Sequence, residues 1–180
     1  RAIYGTGWPD RPTWICAVRL DDGRLVAFGR KDAPPAAMAE AVAASCAIPA
    51  YFQPVVIDGR RYVDGGSHSV TNADLLAGAD VGLVVVSCPM GATRDAFAMG
   101  IDFAVRAAVR ARLFQEVDKV RRAGTPVLTL QPTREVRAAM GNNPMDPQRG
   151  SAVTSAAYES TLRRLNDADV RERIKTLKAE

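Results

Sequence analysis

Asp-Gly occurs twice within eight residues of "VVIDGRRYVDGGSHSVTNADLL", residues 55–76, and the two copies keep different company. Asp58-Gly59 lies between two short apolar runs, the setting of a hairpin turn. Asp64-Gly65-Gly66 ends such a run and opens into Ser, Thr and Asn residues instead of a matching strand. An Asp-Gly at a strand end ordinarily makes a turn, with Asp accepting from local amides and Gly supplying a positive φ. The second glycine removes a further side chain from beside the carboxylate. A carboxylate held rigidly with open space around it can serve as a general base. To do so at neutral pH, its pKa must rise from about 3.9 and a hydroxyl nucleophile must sit at hydrogen-bond distance. Asp64 is the candidate for that role, and Gly65 and Gly66 are its support.

Its nucleophile is harder to find. A Gly-x-Ser-x-Gly elbow, which would present a serine between a strand and a helix, occurs nowhere in the 180 residues. Ser87 ends the run "VVVSCPMG" but lacks the glycine two residues before it. Ser45 sits among small residues, where tight packing explains it. Ser67 and Ser69 flank His68, the single histidine, but neighbours along a chain do not face one another, so the three read as rim residues. Cys16, Cys46 and Cys88 have no metal-ligand spacing and each lies in an apolar run. They read as buried free thiols in a reducing compartment. With one histidine and no Cys pair, no zinc site is expected, and no other metal or cofactor motif is present.

The elements that must position Asp64 follow from turn signals and periodicity. "TWICAVRLDDGRLVAFG" reads as two strands joined at Asp21-Asp22-Gly23, and "VVI" with "RYVD" as a second hairpin. Between them "KDAPPAAMAEAVAASCAIP" predicts an Ala-rich helix with Asp32 as N-cap, stopped by Pro49. "GLVVVS" is a continuous β-branched run of the kind buried on both faces of a parallel sheet, and "PVLTLQP" is another buried strand. A long helix is predicted from Asp95 to Arg122, with Phe97, Ile101, Val105, Val109, Leu113, Val117 and Val120 on one stripe. Arg106, Arg110 and Arg121 fall off that stripe, and Gly124 ends the helix. After the loop "GNNPMDPQRG", residues 151–178 read as mostly helical. Strands alternating with helices predict an α/β fold with a central, largely parallel sheet flanked by helices, and the length fits a single domain.

Composition excludes few classes. Apolar residues make up 47% and charged residues 24%, as in an ordinary soluble globular protein, and no uncharged apolar stretch is long enough to cross a bilayer. The net charge of +4 is uneven: residues 1–100 carry nine Lys or Arg against ten Asp or Glu, and residues 101–180 carry fifteen against ten. A basic second half could meet phosphate groups, but no aromatic residues interleave with it, so no nucleic-acid partner is expected.

The stretch "AVAASCAIPAYFQPVVIDGRRYVDGGSHSVTNADLL" resembles the second half of the patatin-like phospholipase domain. The resemblance rests on Ala44-Ser45, Ala47, Pro49, Phe52, Pro54, Asp64-Gly65-Gly66 and Asn72-Ala73, and is strongest over residues 12–90. It implies a three-layer α/β fold and a lipid acyl hydrolase working through a Ser-Asp dyad, with Asp64 as the dyad aspartate. It also implies that the Gly-x-Ser-x-Gly elbow and the Gly-rich oxyanion loop belong to an amino-terminal half upstream of Arg1. Residues 1–180 are then expected to pair with that half and to be inactive alone. The alternative is a non-catalytic pseudo-hydrolase that binds lipid or protein, and an interaction module built on the basic helices has only charge behind it. Substrates of this class sit in bilayers or micelles, which implies a cytoplasmic or peripheral-membrane protein. Trp8, Trp14 and the Arg-bearing helix are the candidate contacts.

Overall fold

The computed structural model describes residues 7–93, 96, 103–141, 143 and 146–177, which divide after Asn72 into two compact units.

In the first unit, β1 (Ile15–Arg19) and β2 (Leu25–Phe28) pair antiparallel across a turn that Gly23 enters at φ 68°. Arg19 pairs with Asp22 inside that turn and holds its carboxyl down to about 2. Strands β3 (Val55–Ile57) and β4 (Arg60–Asp64) form the second hairpin, with Asp58 at φ 49° and Gly59 at φ 70°. Two consecutive left-handed residues match the twist of a two-residue hairpin. Strand β4 also pairs antiparallel with β1, giving the order β2-β1-β4-β3. One face of this sheet presents Ala17, Phe28, Ile57 and Tyr62 to Ala41 and Ala44 of helix α1 (Met38–Ser45). Alanines let the helix lie close, and Phe28 meets Tyr62 edge-on at 5.1 Å.

Helix α1 begins later than expected. Asp32 is not its N-cap: it pairs with Arg30 at 3.0 Å. The Glu40 carboxylate instead accepts from the Ala37 amide at 3.1 Å and closes the first turn. Pro34 and Pro35 cause the shift, because a residue that precedes proline is pushed out of the α region.

In the second unit, β5 (Val84–Ser87) and β6 (Val127–Leu130) pair parallel, joined by a crossover that contains helix α2 (Phe103–Arg122). Leu113, Val117 and Val120 of α2 pack with Val84, Val86 and Val127. Residues 95 and 97–102 of the expected helix, including Phe97 and Ile101, lie outside the described residues. Val105, on the predicted stripe, is 53% exposed. Gly124, at φ 97°, follows the helix end as expected. Glu116 is fully buried on α2, accepting from Arg112 at 2.9 Å and from the Ala73 amide at 3.1 Å. Arg106 is buried too, and donates to the carbonyl oxygens of Pro89, Met90 and Gly91. The remaining helices are α3 (Arg134–Met140), which the sequence did not signal, α4 (Gly150–Asn166) and α5 (Ala168–Leu177). None of the helices among the described residues is long and apolar enough to cross a membrane.

Two expectations are corrected here. The sheet is not largely parallel: among the described residues the four-stranded sheet is antiparallel throughout, and only β5–β6 is parallel. Short hairpin turns permit only antiparallel pairing, whereas a parallel pair needs a crossover of a dozen or more residues. Nor is "GLVVVS" buried on both faces. Strand β5 alternates, with Val84 and Val86 buried and Val85 55% exposed, because the helix α2 stripe covers one face.

Candidate functional site

Asp64 is the last residue of β4, opposite Ala17 of β1. Its backbone amide donates to the Ala47 carbonyl at 3.0 Å, which ties the end of β4 to the loop leaving α1. The side chain is half-buried and caps a 3-10 turn formed by Gly65–Ser67. Oδ1 accepts from the Gly66 amide at 2.7 Å, a distance typical of a charge-assisted bond. Among the described residues no Lys or Arg pairs with this carboxylate. Arg60, at the other end of β4, pairs with Asp21 at 3.2 Å, and Arg61 alternates to the opposite face of the strand. Oδ1 is therefore held in place by a backbone amide.

The two glycines do different jobs. A Cβ at Gly65 would overlap the Cys16 carbonyl oxygen and lie 2.8 Å from its carbon, so Gly65 is set by the close approach of β1. A Cβ at Gly66 would lie 3.0 Å from Asp64 Oδ1. Gly66 thus keeps clear the amide that orients the carboxylate.

The other candidates are dispersed. Ser67 and His68 are exposed beside Asp64. Ser69 is not a rim residue: it is buried, and its Oγ accepts from the amides of Thr71 and Asn72, both at 3.2 Å. This shapes the turn in which Asn72 takes a φ of 47°. Ser45 ends α1, and Ser87 ends β5 in the second unit. The thiols differ from expectation as well. Only Cys88 is buried, its pKa raised by that burial, whereas Cys46 is exposed and Cys16 half-buried. Cys46 follows the last turn of the short helix α1, where the chain leaves the core. No group of three His, Cys, Asp or Glu that could hold a metal ion exists among the described residues.

Trp8 is half-buried. Its indole N–H donates to the Ala36 carbonyl at 2.9 Å and the ring packs against the sheet core. Trp14 carries the Arg30 guanidinium 5.2 Å from its ring centre. The exposed apolar groups next to the site are instead Ile48, Tyr51 and Phe52, at 46%, 83% and 62%. The sequence held a signal for them: residues 46–57, "CAIPAYFQPVVI", contain no charge.

The family model described as patatin-like phospholipase matches residues 15–77, which is 63 of the 180 residues. That span takes in the whole four-stranded sheet, α1, and Asp64 with its 3-10 turn. The likeness is thus to a class of lipid acyl hydrolases and covers less than the expected 12–90. No curated protein matches the chain.

Proposed function

We propose that this chain contributes the general base of a lipid acyl hydrolase acting on carboxylic esters. The observation that carries the reading is the Asp64 carboxylate, held at a strand end by a single amide inside the span that resembles patatin-like phospholipases. In this reading the nucleophile is a serine of a Gly-x-Ser-x-Gly elbow in a segment outside residues 1–180, which completes a three-layer domain. Asp64 Oδ2 takes the hydroxyl proton as the serine oxygen bonds to the ester carbonyl carbon, forming a tetrahedral oxyanion. Collapse breaks the bond to the alkoxy oxygen, which leaves as the alcohol with the proton from Asp64. Water then repeats the sequence on the acyl-serine and releases the fatty acid.

Acyl transfer needs nucleophile, base and oxyanion donors together, and loss of one oxyanion donor alone costs roughly 10²–10³ in rate. The isolated chain is therefore expected to hydrolyse p-nitrophenyl esters at background rate. Mixing it with the segment encoded upstream of Arg1 should restore turnover. A pseudo-hydrolase that binds without catalysis is the second reading, favoured by the absence of Gly-x-Ser-x-Gly from these residues. Background rates in a mixture that forms a stable complex would establish that reading instead.

The uncharged loop beside Asp64 fits peripheral contact with lipid, since Tyr and other aromatic groups settle at the headgroup level. Tyr51→Ser with Phe52→Ser should reduce co-sedimentation of the completed protein with zwitterionic liposomes. Equal co-sedimentation would remove this loop as the contact.

A further inference from the structure

The free edges of the two sheets are closed in different ways. In the first unit, β3 is three residues long and follows Pro54, and β2 is flanked by Arg24 and Arg30. Short strands, proline and charge are what ordinarily keep a sheet edge from pairing further. In the second unit, Arg121 lies on the outer edge of β6, where its guanidinium donates to the Val127 carbonyl at 3.2 Å. Strand β5 carries neither charge nor proline. Residues 81–93 contain no charged side chain, and Pro89 lies two residues beyond the strand. Val81, Val85 and Met90 along this stretch are exposed.

Backbone direction shows what that edge offers. The amides of Val84 and Cys88 donate to the carbonyls of Pro126 and Leu130, each at 2.9 Å, so the even-numbered residues of β5 are turned towards β6. Amides alternate sides along a strand. Those of Val85 and Ser87 are turned to the opposite edge, where no strand pairs with them among the described residues. A run as continuously β-branched as "GLVVVS" is normally enclosed within a parallel sheet, yet β5 stands at the margin of a two-stranded one. Strands of a parallel sheet are joined by crossovers within one domain. The occupant that fits this edge is thus another strand of the same domain. The hydrolase reading supplies one, because a Gly-x-Ser-x-Gly elbow sits where a strand turns into a helix.

We propose that the open edge of β5 receives a parallel strand from the segment that carries the nucleophile, paired through the backbone of Val85 and Ser87. This pairing rests on the hydrolase reading only for the existence of that segment.

NMR of the completed protein tests this. The Val85 and Ser87 amides should exchange with solvent at least roughly 10²-fold more slowly than unstructured amides, as paired amides do. They should also show cross-strand Overhauser contacts to backbone protons upstream of Arg1. Val85→Pro removes one of these amides and sets its ring against the incoming strand. Because proline is excluded from interior strands, it should lower the urea midpoint by on the order of 1 M. Val85→Thr keeps the amide and should unfold near the parent. The proposal is overturned by fast exchange at both positions, by contacts only within residues 1–180 or to a second copy, or by a parent-like midpoint in Val85→Pro. Should Val85→Pro fail to fold, the exchange and contact measurements decide alone. Ester hydrolysis by the same sample separates the seam from the reading on which it rests. Pairing without turnover keeps the seam and removes the hydrolase, and turnover without pairing does the reverse.

Discussion

Asp64→Asn should lower ester hydrolysis by the completed protein about 10²–10⁴-fold, the range that a positioned general base contributes. The substitution isolates proton transfer from architecture. Asn keeps an Oδ1 that can accept from the Gly66 amide, so the 3-10 turn and the 2.7 Å contact that shape it should survive. Asn cannot take a proton from a hydroxyl, so the acyl-enzyme should fail to form and no burst of p-nitrophenol should appear. Single-turnover assays with p-nitrophenyl esters, alongside urea denaturation of parent and variant, make the measurement. Hydrolysis within twofold of the parent would remove Asp64 from the chemistry, whatever the family likeness implies. Equal urea midpoints with activity lost would place the effect on the reaction and not on the fold.

The largest stability effect should come from one of two adjacent glycines and not the other. Gly65→Ala would force a methyl against the Cys16 carbonyl, with the carbonyl carbon only 2.8 Å away. The Cys16 carbonyl lies in β1 beside the Ala17–Asp64 pair and Gly65 directly follows β4, so neither backbone can step aside without disturbing the end of the β1–β4 ladder. Overpacking of this kind commonly costs about 1–3 kcal/mol, and a backbone clash belongs at the top of that range. At Gly66 the nearest atom is the end of a side chain, Asp64 Oδ1 at 3.0 Å, which can rotate away. Gly66→Ala should therefore unfold within about 1 kcal/mol of the parent, because an exposed methyl meets nothing but a movable carboxylate. It should still slow the completed hydrolase, because rotating the carboxylate abandons its orienting amide. Urea midpoints of both variants and p-nitrophenyl ester rates test the split. Gly65→Ala unfolding with the parent would contradict the close approach to β1.

How legible this was in the sequence can be judged residue by residue. Asp58-Gly59 announced a hairpin because only a few residue pairs adopt two left-handed conformations, and the turn is where the dipeptide placed it. Gly124 marked a helix end for the same local reason. Asp64 at the end of β4 was equally legible, since a run of β-formers stopping at Asp-Gly leaves little choice. Asp32 misled because Pro34 and Pro35, which suit the first turn of a helix, here push the residues before them out of the α region. Helix α3 escaped because seven residues carry too few turns for a periodic signal. Arg106 falls off the apolar stripe of a charged helix, and nothing in the sequence singles out Glu116. They are buried because the loop after β5 and the amide of Ala73 need partners there, which no local pattern encodes.

The sequence by itself determined the turns, the hairpins, the parallel pairing that a long crossover demands, and the carboxylate at a strand end. These depend on backbone preferences within a few residues. Tertiary structure alone decided which face of β5 is covered, which thiol is buried, and that Trp8 is anchored while Tyr51 and Phe52 are exposed. It also decided why two glycines stand together: Gly65 yields to β1, some fifty residues earlier in the chain, and Gly66 offers its amide to Asp64. Such outcomes depend on what lies across from a residue in space, and contacts between distant segments leave no periodicity to read.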